Sequence, residues 1–256
     1  MPSLPPPSRL AAELAAAAEN CAPLEPFSAK YGPFTGAEAA AIRQAWFELQ
    51  LARGRRVAGK KLGAVHRRWE GHAQKLACGW GYILDSNLLL DGTSLPAAHL
   101  IQPRVEAEFA LLLGRGLSGP GVSVPQALAA IAGVAAAFEV VDSRFRPPAP
   151  TPEDQAADNG GHGYAVIAPR LVSPLDLDLA ALGVRLAING EVKGRATGAN
   201  VAGSPVHALV ALANQTPLEA GMVILTGSVA GAFPIKPGDQ VRADFDRLGA
   251  VTLAVE

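Results

Sequence analysis

The stretch PRVEAEFALLL, residues 103–113, places two glutamates, Glu106 and Glu108, inside an otherwise apolar run. The run predicts a β-strand, in which residues i and i+2 point to the same face. Two carboxylates side by side repel each other unless one is protonated or a cation lies between them. The fold must therefore either solvate both at a sheet edge or bind a divalent ion, for which oxygen ligands favour Mg²⁺, Mn²⁺ or Ca²⁺.

A second acidic site follows in AAAFEVVDSRF, residues 135–145, where Glu139 and Asp142 end a strongly apolar segment. A carboxylate among apolar neighbours needs a partner. One interpretation pairs these acids with Arg144 or Arg146. The other makes Glu139 a third acid beside the glutamate pair.

Two further segments carry candidate functional groups. KKLGAV, from residue 60, offers Lys60 and Lys61, and strand alternation lets only one of them point inward. That lysine would neutralise charge or carry a proton beside a metal–carboxylate cluster. The alternative is a solvated pair at a strand edge. In ADNGGHG, residues 157–163, the backbone N–H groups at Gly160 and Gly161 are candidates to bind an oxyanion, although most Gly-Gly pairs are simple turns.

Composition limits the function classes. The 256 residues are 49% hydrophobic and 18% charged with a net charge of -1, so a core is expected and no basic excess indicates nucleic acid or an anionic membrane as partner. No apolar run reaches the length of about 18–20 residues that a membrane span needs. We expect a cytoplasmic protein without a signal peptide, and its two cysteines fit a reducing compartment. No motif for nucleophilic Ser or Cys catalysis, phosphate-loop binding or dinucleotide binding is found.

The chain divides into a helical region, residues 1–56, and a strand-rich region, residues 57–256. Ala/Leu/Glu-rich residues 8–20 and a second helix capped by Thr35 are separated by a Pro/Gly-rich stretch expected to be loop. In the second region, AINGEV predicts a two-residue hairpin and RLGAV a second turn. VPQALAAIAGVAAAFEVV (124–141) and PVHALVALANQ (205–215) are predicted helices. The hairpins indicate mixed or antiparallel pairing and an α+β fold.

Taken in order, KKLG, QPRVEAEFALLLGR, FEVVDSR, ADNGG and GMVILTGSV resemble the hydratase/decarboxylase branch of the fumarylacetoacetate hydrolase superfamily. That branch includes 2-oxopent-4-enoate hydratase and 4-oxalocrotonate decarboxylase. The resemblance runs from roughly residue 40 to the C-terminus. It implies a small N-terminal helical region packed on a mixed, twisted β-roll, and a homo-oligomer.

The resemblance also implies a site. Mg²⁺ or Mn²⁺ would be held by Glu106, Glu108 and Glu139, and a small 2-oxo acid substrate would chelate it. Lys61 would handle protons and Thr226, in ILTGS, would help hold the substrate carboxylate. Further predicted substrate contacts are Gly160, Gly161, His162 and Trp80. The implied activity is that of a lyase, a hydratase first, which acts on an unsaturated 2-oxo acid through a metal-stabilised enolate.

Two departures from the family pattern keep other activities open. Gly79 stands before Trp80-Gly81 where hydratases of this branch usually carry an acid, and Gly161 replaces the serine of the ADN loop. His162 or Tyr82 is a candidate replacement for the acid. The alternatives are a 4-oxalocrotonate-type decarboxylase, a C–C hydrolase or tautomerase, and a paralogue that binds metal and a 2-oxo acid without turnover.

Overall fold

Three helices occupy the first part of the chain: α1 (Pro7–Glu19), α2 (Phe27–Tyr31) and α3 (Gly36–Ala52). They are seen in a computed structural model that describes residues 3–70 and 73–256, and the side chains outside residues 64–77. The predicted cap of α3 is confirmed. Thr35 Oγ1 accepts the Glu38 N–H at 3.2 Å, and the Glu38 carboxylate accepts the Thr35 N–H at 2.7 Å, which forms a capping box.

The short helix α2 lies in the stretch that was expected to be loop, so that part of the prediction is wrong. A distant residue explains the difference. The Asp154 carboxylate accepts hydrogen bonds from the Ser28 N–H at 3.0 Å and from the Ser28 hydroxyl. Asp154 therefore satisfies a free donor in the first turn of a helix too short to be stable alone.

The helical region packs against later parts of the chain through a buried apolar cluster. Phe27 meets Phe145 edge to face, with 5.1 Å between ring centroids. Ala157, at the end of α5 (Pro152–Ala157), belongs to the same cluster. The helical members are Leu10, Leu14, Phe27, Ala39 and Ile42.

The strands form two mixed sheets, so the predicted α+β class is confirmed. The strands are β1 (Val57–Glu70), β2 (Ala73–Leu84), β3 (Leu88–Leu90), β4 (Ser94–Leu95), β5 (Arg104–Leu113), β6 (Ile131–Val141), β7 (His162–Ile167), β8 (Gly183–Ile188), β9 (Glu191–Thr197), β10 (Val223–Leu225), β11 (Ala232–Pro234), β12 (Gln240–Phe245) and β13 (Gly249–Val255). The eight-stranded sheet has the order β2-β1-β10-β5-β6-β7-β3, with β11 also paired to β5. The other sheet has the order β4-β13-β12-β8-β9.

Both predicted turns are confirmed in the second sheet. Asn189 and Gly190 join β8 to β9 with φ of 52° and 80°, the left-handed pair that a tight hairpin requires. Arg247, with φ of 63°, lies in the turn between β12 and β13. The main core joins the two sheets, where Phe109 of β5 meets Phe245 of β12 edge to face.

Residues 124–141 are not one helix. The structure has α4 (Val124–Ala130) followed directly by β6, which corrects the prediction. Strand β6 lies between β5 and β7 and is buried on both faces, so it lacks the polar alternation that marks a half-exposed strand. The helix predicted at 205–215 is confirmed as α6 (Pro205–Ala213).

Strand β5 lies inside its sheet, with β6 on one side and β10 and β11 on the other. The interpretation of the two glutamates as a solvated pair at a sheet edge is therefore wrong. Among the residues described, no helix combines the length and the apolar composition of a membrane span.

A glycine in β2 lets the loop after α5 approach the sheet. The Asn159 side chain accepts the Tyr82 N–H at 2.7 Å and donates to the Tyr82 carbonyl at 2.9 Å. A β-carbon on Gly81 would lie 2.2 Å from the Asn159 carbonyl oxygen, closer than any real contact. Since Gly160 is the next residue, Gly81 sets how close this loop comes to Lys61, the residue that pairs with Gly81 across β1 and β2.

We predict that Gly81→Ala lowers the free energy of unfolding by about 1–3 kcal/mol, because the added methyl group forces the Asn159 backbone away. Gly79→Ala is the matched control in the same strand, since a β-carbon there meets nothing within 4 Å. Urea denaturation of both variants measures the difference. Equal effects of the two substitutions would contradict the assigned role of Gly81.

Candidate metal centre

Three glutamates converge on one face of the central sheet. Glu106 of β5 and Glu139 of β6 are direct cross-strand partners, and Glu108 lies two residues further along β5. Each offers a carboxylate oxygen within 4.8 Å of the others. Glu108 and Glu139 are 0% and 1% exposed. The spacing that placed Glu106 and Glu108 on one face in the sequence is confirmed, and cross-strand register adds Glu139.

The two buried glutamates each have one bonded oxygen and one free oxygen. Glu108 Oε2 accepts the Gly227 N–H at 2.7 Å. Glu139 Oε1 lies 3.1 Å from Lys61 Nζ and 2.9 Å from His162 Nδ1. Glu108 Oε1 and Glu139 Oε2 have no hydrogen-bond partner. A buried acceptor without a partner is costly, so these oxygens fit a divalent cation with oxygen ligands.

The charges of the cluster also favour a cation. Burial, and then the charge of Glu139, raise the pKa of Glu106 to about 7. Burial raises the pKa of Glu108 well above its ordinary value. Burial acts in the same direction on Glu139, but the Lys61 ammonium and the His162 hydrogen bond outweigh it, and the pKa of Glu139 is lowered. Without a cation the three acids cannot all ionise at neutral pH.

Lys61 lies inside the site, as alternation along β1 predicts for one of the two lysines. It is 3% exposed, pairs with Glu139 and donates to the Gly160 carbonyl at 2.6 Å. Lys60 points to the other face, where it donates to Thr216 Oγ1 at 2.5 Å and lies 4.6 Å from the Trp80 ring. Burial lowers the pKa of Lys60 to about 8. The alternative of a solvated lysine pair is wrong.

A cavity of about 460 Å³ lies beside the three acids. Four predicted site residues line it, namely Lys61, Glu106, Gly160 and Thr226. Thr226 is fully buried, and its Oγ1 has no hydrogen-bond partner. This hydroxyl at the end of β10 is therefore a free donor for an anionic group. The other lining residues are Leu62, Gly63, Val141, Asn200, Val201, Ala202, Gly227 and Ser228.

His162 contacts the acid cluster through Glu139. Its ring is buried and bonds to Glu139 through Nδ1, while Nε2 has no partner. Burial lowers the pKa of His162 despite the attraction of Glu139. Because an ionised carboxylate only accepts hydrogen bonds, the bond to Glu139 places a proton on Nδ1 of the imidazole.

Three of the predicted substrate contacts, Gly161, His162 and Trp80, do not line this cavity. The Gly161 N–H donates to the Asp158 carbonyl at 2.8 Å, so it is already used within the loop. Trp80 lies on the Lys60 face of β2, where the Arg43 guanidinium stacks 3.7 Å from its ring centroid. Tyr82, the other candidate for the missing acid, shares that face.

The arginine pairing considered for the second acidic segment does not form as expected. Arg144 Nε donates to the Asp158 carboxylate, and Arg144 Nη2 donates to the Asp158 backbone carbonyl. The Asp142 carboxylate instead accepts the backbone N–H groups of Ile101 and Gln102 at 2.8–3.1 Å. Glu139 therefore belongs to the cluster of three acids.

Sequence reasoning missed Asn200, Val201 and Ala202, which reach the cavity from a turn before α6. The Asn200 side chain is held by the Val229 carbonyl at 3.0 Å. The only signal for this turn was its place inside ATGANVAGSPV, a segment with two glycines and no clear periodicity.

The fold and the site place three carboxylates beside a cavity, an arrangement typical of enzymes that bind a divalent cation. Comparison with known families agrees. Residues 82–256 match the model described as fumarylacetoacetate (FAA) hydrolase C-terminal. The chain belongs to this family, and the resemblance found in the sequence is confirmed.

Relatives at 30% identity or more include hydratases and a decarboxylase, so the chain is an enzyme. It is 36% identical over 237 residues to 2-hydroxyhexa-2,4-dienoate hydratase of Comamonas testosteroni, with 90% of each chain covered. It is 32% identical to 4-oxalocrotonate decarboxylase of a Pseudomonas species, covering 85% of this chain and 86% of that one. The solved 4-oxalocrotonate decarboxylase of Pseudomonas putida G7, complexed with magnesium and adipate, superposes with a TM-score of 0.90 at 28% identity and covers 98% of this chain and 97% of its own.

We predict that Glu106→Gln together with Glu108→Gln abolishes Mg²⁺ binding, because two carboxylate ligands become neutral amides of the same shape. Isothermal titration with Mg²⁺ and with Mn²⁺ measures the loss. Thermal unfolding gives a second readout, since bound metal stabilises only a chain that binds it.

Glu191→Gln is the control, because this glutamate side chain is 73% exposed and remote in sequence from the cluster. It should bind Mg²⁺ like the parent. If the double variant also kept the parent affinity for Mg²⁺ and for Mn²⁺, the metal assignment would be wrong.

Proposed function

We propose that this chain is a divalent-metal-dependent lyase that acts on an unsaturated 2-oxo acid, with hydration as the leading reaction. The observation that carries the proposal is the glutamate cluster with two unpartnered oxygens, at the floor of a cavity that also holds Lys61 and Thr226. The hydratases among its relatives support the reaction class, at 36–37% identity over 82–90% of this chain.

Glu106, Glu108 and Glu139 would hold Mg²⁺, with Mn²⁺ as the alternative. Once bound, such an ion polarises the 2-oxo group of a chelated substrate and so supplies the electron sink for an enolate. The magnesium and calcium complexes of the Pseudomonas putida decarboxylase support an ion that takes oxygen ligands. The Gly227 N–H fixes Glu108, and Lys61 and His162 fix Glu139, so the ligands are oriented in advance.

Thr226 and the Lys61 side chain would orient the substrate. The Thr226 hydroxyl is buried without a hydrogen-bond partner, which costs free energy. It can donate a hydrogen bond to the substrate carboxylate, and this bond would remove that cost. The apolar residues Val141 and Val201 in the cavity wall would exclude water from the conjugated part of the substrate.

Lys61 would move the proton. Its Nζ is held by the Gly160 carbonyl and Glu139, and its side chain lines the cavity. An ammonium in this position can give a proton to the carbon end of an enolate and take one back through the neutral amine. Its hydrogen-bond partners on the loop and on β6 keep Nζ in one position for both transfers.

Decarboxylation is the second candidate, and Gly79 favours it. A β-carbon on Gly63, a cavity residue, would lie 3.7 Å from the Gly79 carbonyl, so position 79 is near the cavity. The acid that the family resemblance leads one to expect there is absent. Loss of CO₂ requires no group that activates water, whereas hydration does. Hydration by this chain would need another acid or base. His162 is the candidate, because its Nε2 atom has no hydrogen-bond partner.

We further propose a cytoplasmic homo-oligomer whose partners are small molecules and not nucleic acid or membrane. Free cysteines Cys21 and Cys78 support a reducing compartment. Apolar side chains on the surface support assembly with further copies. Leu90, Leu171 and Leu175 are 65%, 51% and 89% exposed.

The proposal is tested with purified protein and Mg²⁺. One sample receives 2-hydroxypenta-2,4-dienoate and another receives 4-oxalocrotonate, and NMR identifies the products. A 4-hydroxy-2-oxo acid from the first substrate establishes hydration. Release of CO₂ from the second establishes the decarboxylase alternative. If neither is consumed with Mg²⁺ or Mn²⁺, the lyase proposal fails.

We predict that Lys61→Met lowers kcat by about 10²–10⁴-fold, because the proton carrier is lost, and leaves Mg²⁺-dependent oxalate binding detectable. Steady-state kinetics and titration with oxalate measure the two effects separately. Lys193→Met is the control, since Lys193 lies on β9 and does not line the cavity. A change confined to KM would contradict the role of Lys61 in proton transfer.

A further inference from the structure

The loop after α5 contains three consecutive residues with a left-handed backbone. Asn159, Gly160 and Gly161 have φ of 51°, 65° and 69°. The left-handed conformation is costly for a residue with a β-carbon, so the surrounding structure must hold this run in place. The run directs the Gly160 carbonyl toward β1, where Lys61 Nζ donates to it at 2.6 Å.

A buried arginine holds this segment, which we call the 158–161 loop. Arg144 Nε donates to the Asp158 carboxylate at 2.5 Å, and Nη2 donates to the Asp158 carbonyl. The same carboxylate accepts the Arg144 backbone N–H at 3.0 Å. Nη1 donates to the carbonyls of Asp142 and His162 at 2.7 and 2.8 Å. One guanidinium therefore joins the loop to the residue after β6 and to the first residue of β7.

The contacts of Arg144 require the shape of a guanidinium. They use four of its five N–H groups, and the side chain is 7% exposed. A lysine ammonium has three N–H groups on one atom and cannot reach acceptors on three segments at once. Arg144 does not line the cavity, so any effect on a substrate must pass through the loop.

The helical region fixes the backbone that carries Arg144. The Leu24 N–H donates to the Arg144 carbonyl at 2.8 Å, and the Leu24 carbonyl accepts the Arg146 N–H at 2.8 Å. Phe145, between these two arginines, belongs to the apolar cluster of the helical region together with Phe27. Arg144 therefore has a fixed position that does not depend on the loop.

The position of the loop matters because the Lys61 ammonium has three N–H groups. Two are directed to the Gly160 carbonyl and to Glu139 Oε1, at 2.6 and 3.1 Å. Lys61 lines the cavity, so the third N–H is the one that can reach a substrate. Without the Gly160 carbonyl, Nζ would turn toward the carboxylates, which attract an ammonium more strongly than a neutral carbonyl does.

We propose that Arg144 is a positioning residue for proton transfer. Through Asp158 it holds the left-handed loop, and through the Gly160 carbonyl the loop directs the Lys61 ammonium toward the substrate. This inference rests on the proposed function, since it takes Lys61 to be the proton carrier. Loss of Arg144 changes the direction of the proton donor, whereas the three glutamates stay on their strands.

Hydrogen exchange at C3 of 2-oxopentanoate tests proton transfer alone, because this saturated 2-oxo acid neither adds water nor loses CO₂ by the proposed reactions. In D₂O with Mg²⁺, proton NMR follows the loss of the C3 signal above the rate with Mg²⁺ alone. The parent should catalyse exchange, and Lys61→Met should slow it by about 10²-fold or more.

Arg144→Lys should slow exchange at saturating 2-oxopentanoate by about 10–100-fold, because the proton carrier is misplaced. Titration with oxalate in the presence of Mg²⁺ should give the parent Kd in the same variant. Asp158→Asn is a second variant, which keeps the shape of the pair and removes its charge. It should also slow exchange without changing the Kd for oxalate.

Two controls separate this role from a general loss of stability. Arg185→Met removes a partly exposed pair with Asp244 in the other sheet and should exchange at the parent rate. Val251→Ala removes methyl groups from a core position of β13 that is 0% exposed, which lowers stability away from the loop. It should also exchange at the parent rate.

The outcomes separate this inference from the proposed function. If Lys61→Met loses exchange while Arg144→Lys and Asp158→Asn keep the parent rate, the inference is refuted and the proposed function stands. A merely structural role would weaken exchange and oxalate binding together, or slow exchange in Val251→Ala as well, and either result would also refute it. If the parent does not catalyse exchange, or if Lys61→Met exchanges like the parent, the proposed role of Lys61 and this inference fail together.

Discussion

The repulsion among Glu106, Glu108 and Glu139 is the constraint around which the rest of this structure is arranged. Three carboxylates with oxygens within 4.8 Å of one another face one buried ammonium, that of Lys61. Ionising all three would leave an excess of two negative charges in a desolvated site. The pKa values of Glu106 and Glu108 are raised accordingly, because binding a proton removes part of this negative charge. A divalent cation would neutralise the two excess negative charges. The oxygen donors and the net charge of the site therefore both favour a divalent cation.

The fold can support this constraint because the acids lie on central strands. β5 and β6 pair along their length, so the three carboxylates have no freedom to separate. The groups that would meet the substrate lie beside these strands. Thr226 follows the last residue of β10, and Lys61 lies within β1 opposite that last residue, Leu225. The rigid sheet thus holds the charge, while strand ends and loops shape the cavity.

The adjacent residues Lys60 and Lys61 lie on opposite faces of β1, because side chains alternate along a strand. Lys61 joins the acid cluster, whereas Lys60 lies over Trp80 on the opposite face. Arg43 of α3 stacks on that same ring and donates to the Trp80 carbonyl at 2.9 Å. The face of β1 and β2 away from the acids therefore anchors the helical region. The hydratases and the decarboxylase among the relatives are consistent with one kind of acid cluster whose surroundings differ, and here those surroundings include Gly79.

Local patterns in the sequence were sufficient for part of this protein. The Thr35 cap, the Asn189-Gly190 turn and the shared face of Glu106 and Glu108 depend only on residues close in the chain, and each was predicted correctly. Residues 124–141 were not, because a strand buried on both faces has no alternation to separate it from an apolar helix.

Tertiary structure alone decided the remainder. Glu139 faces Glu106 because of strand register, and Arg144 takes Asp158 instead of an acid of the site. Trp80 was expected at the substrate but packs on the other side of the sheet. The sequence by itself determined which acids this chain has and which neighbours share a face, since those follow from backbone geometry. Which distant groups meet them was decided by sheet order and register, because these depend on contacts between residues far apart in the chain.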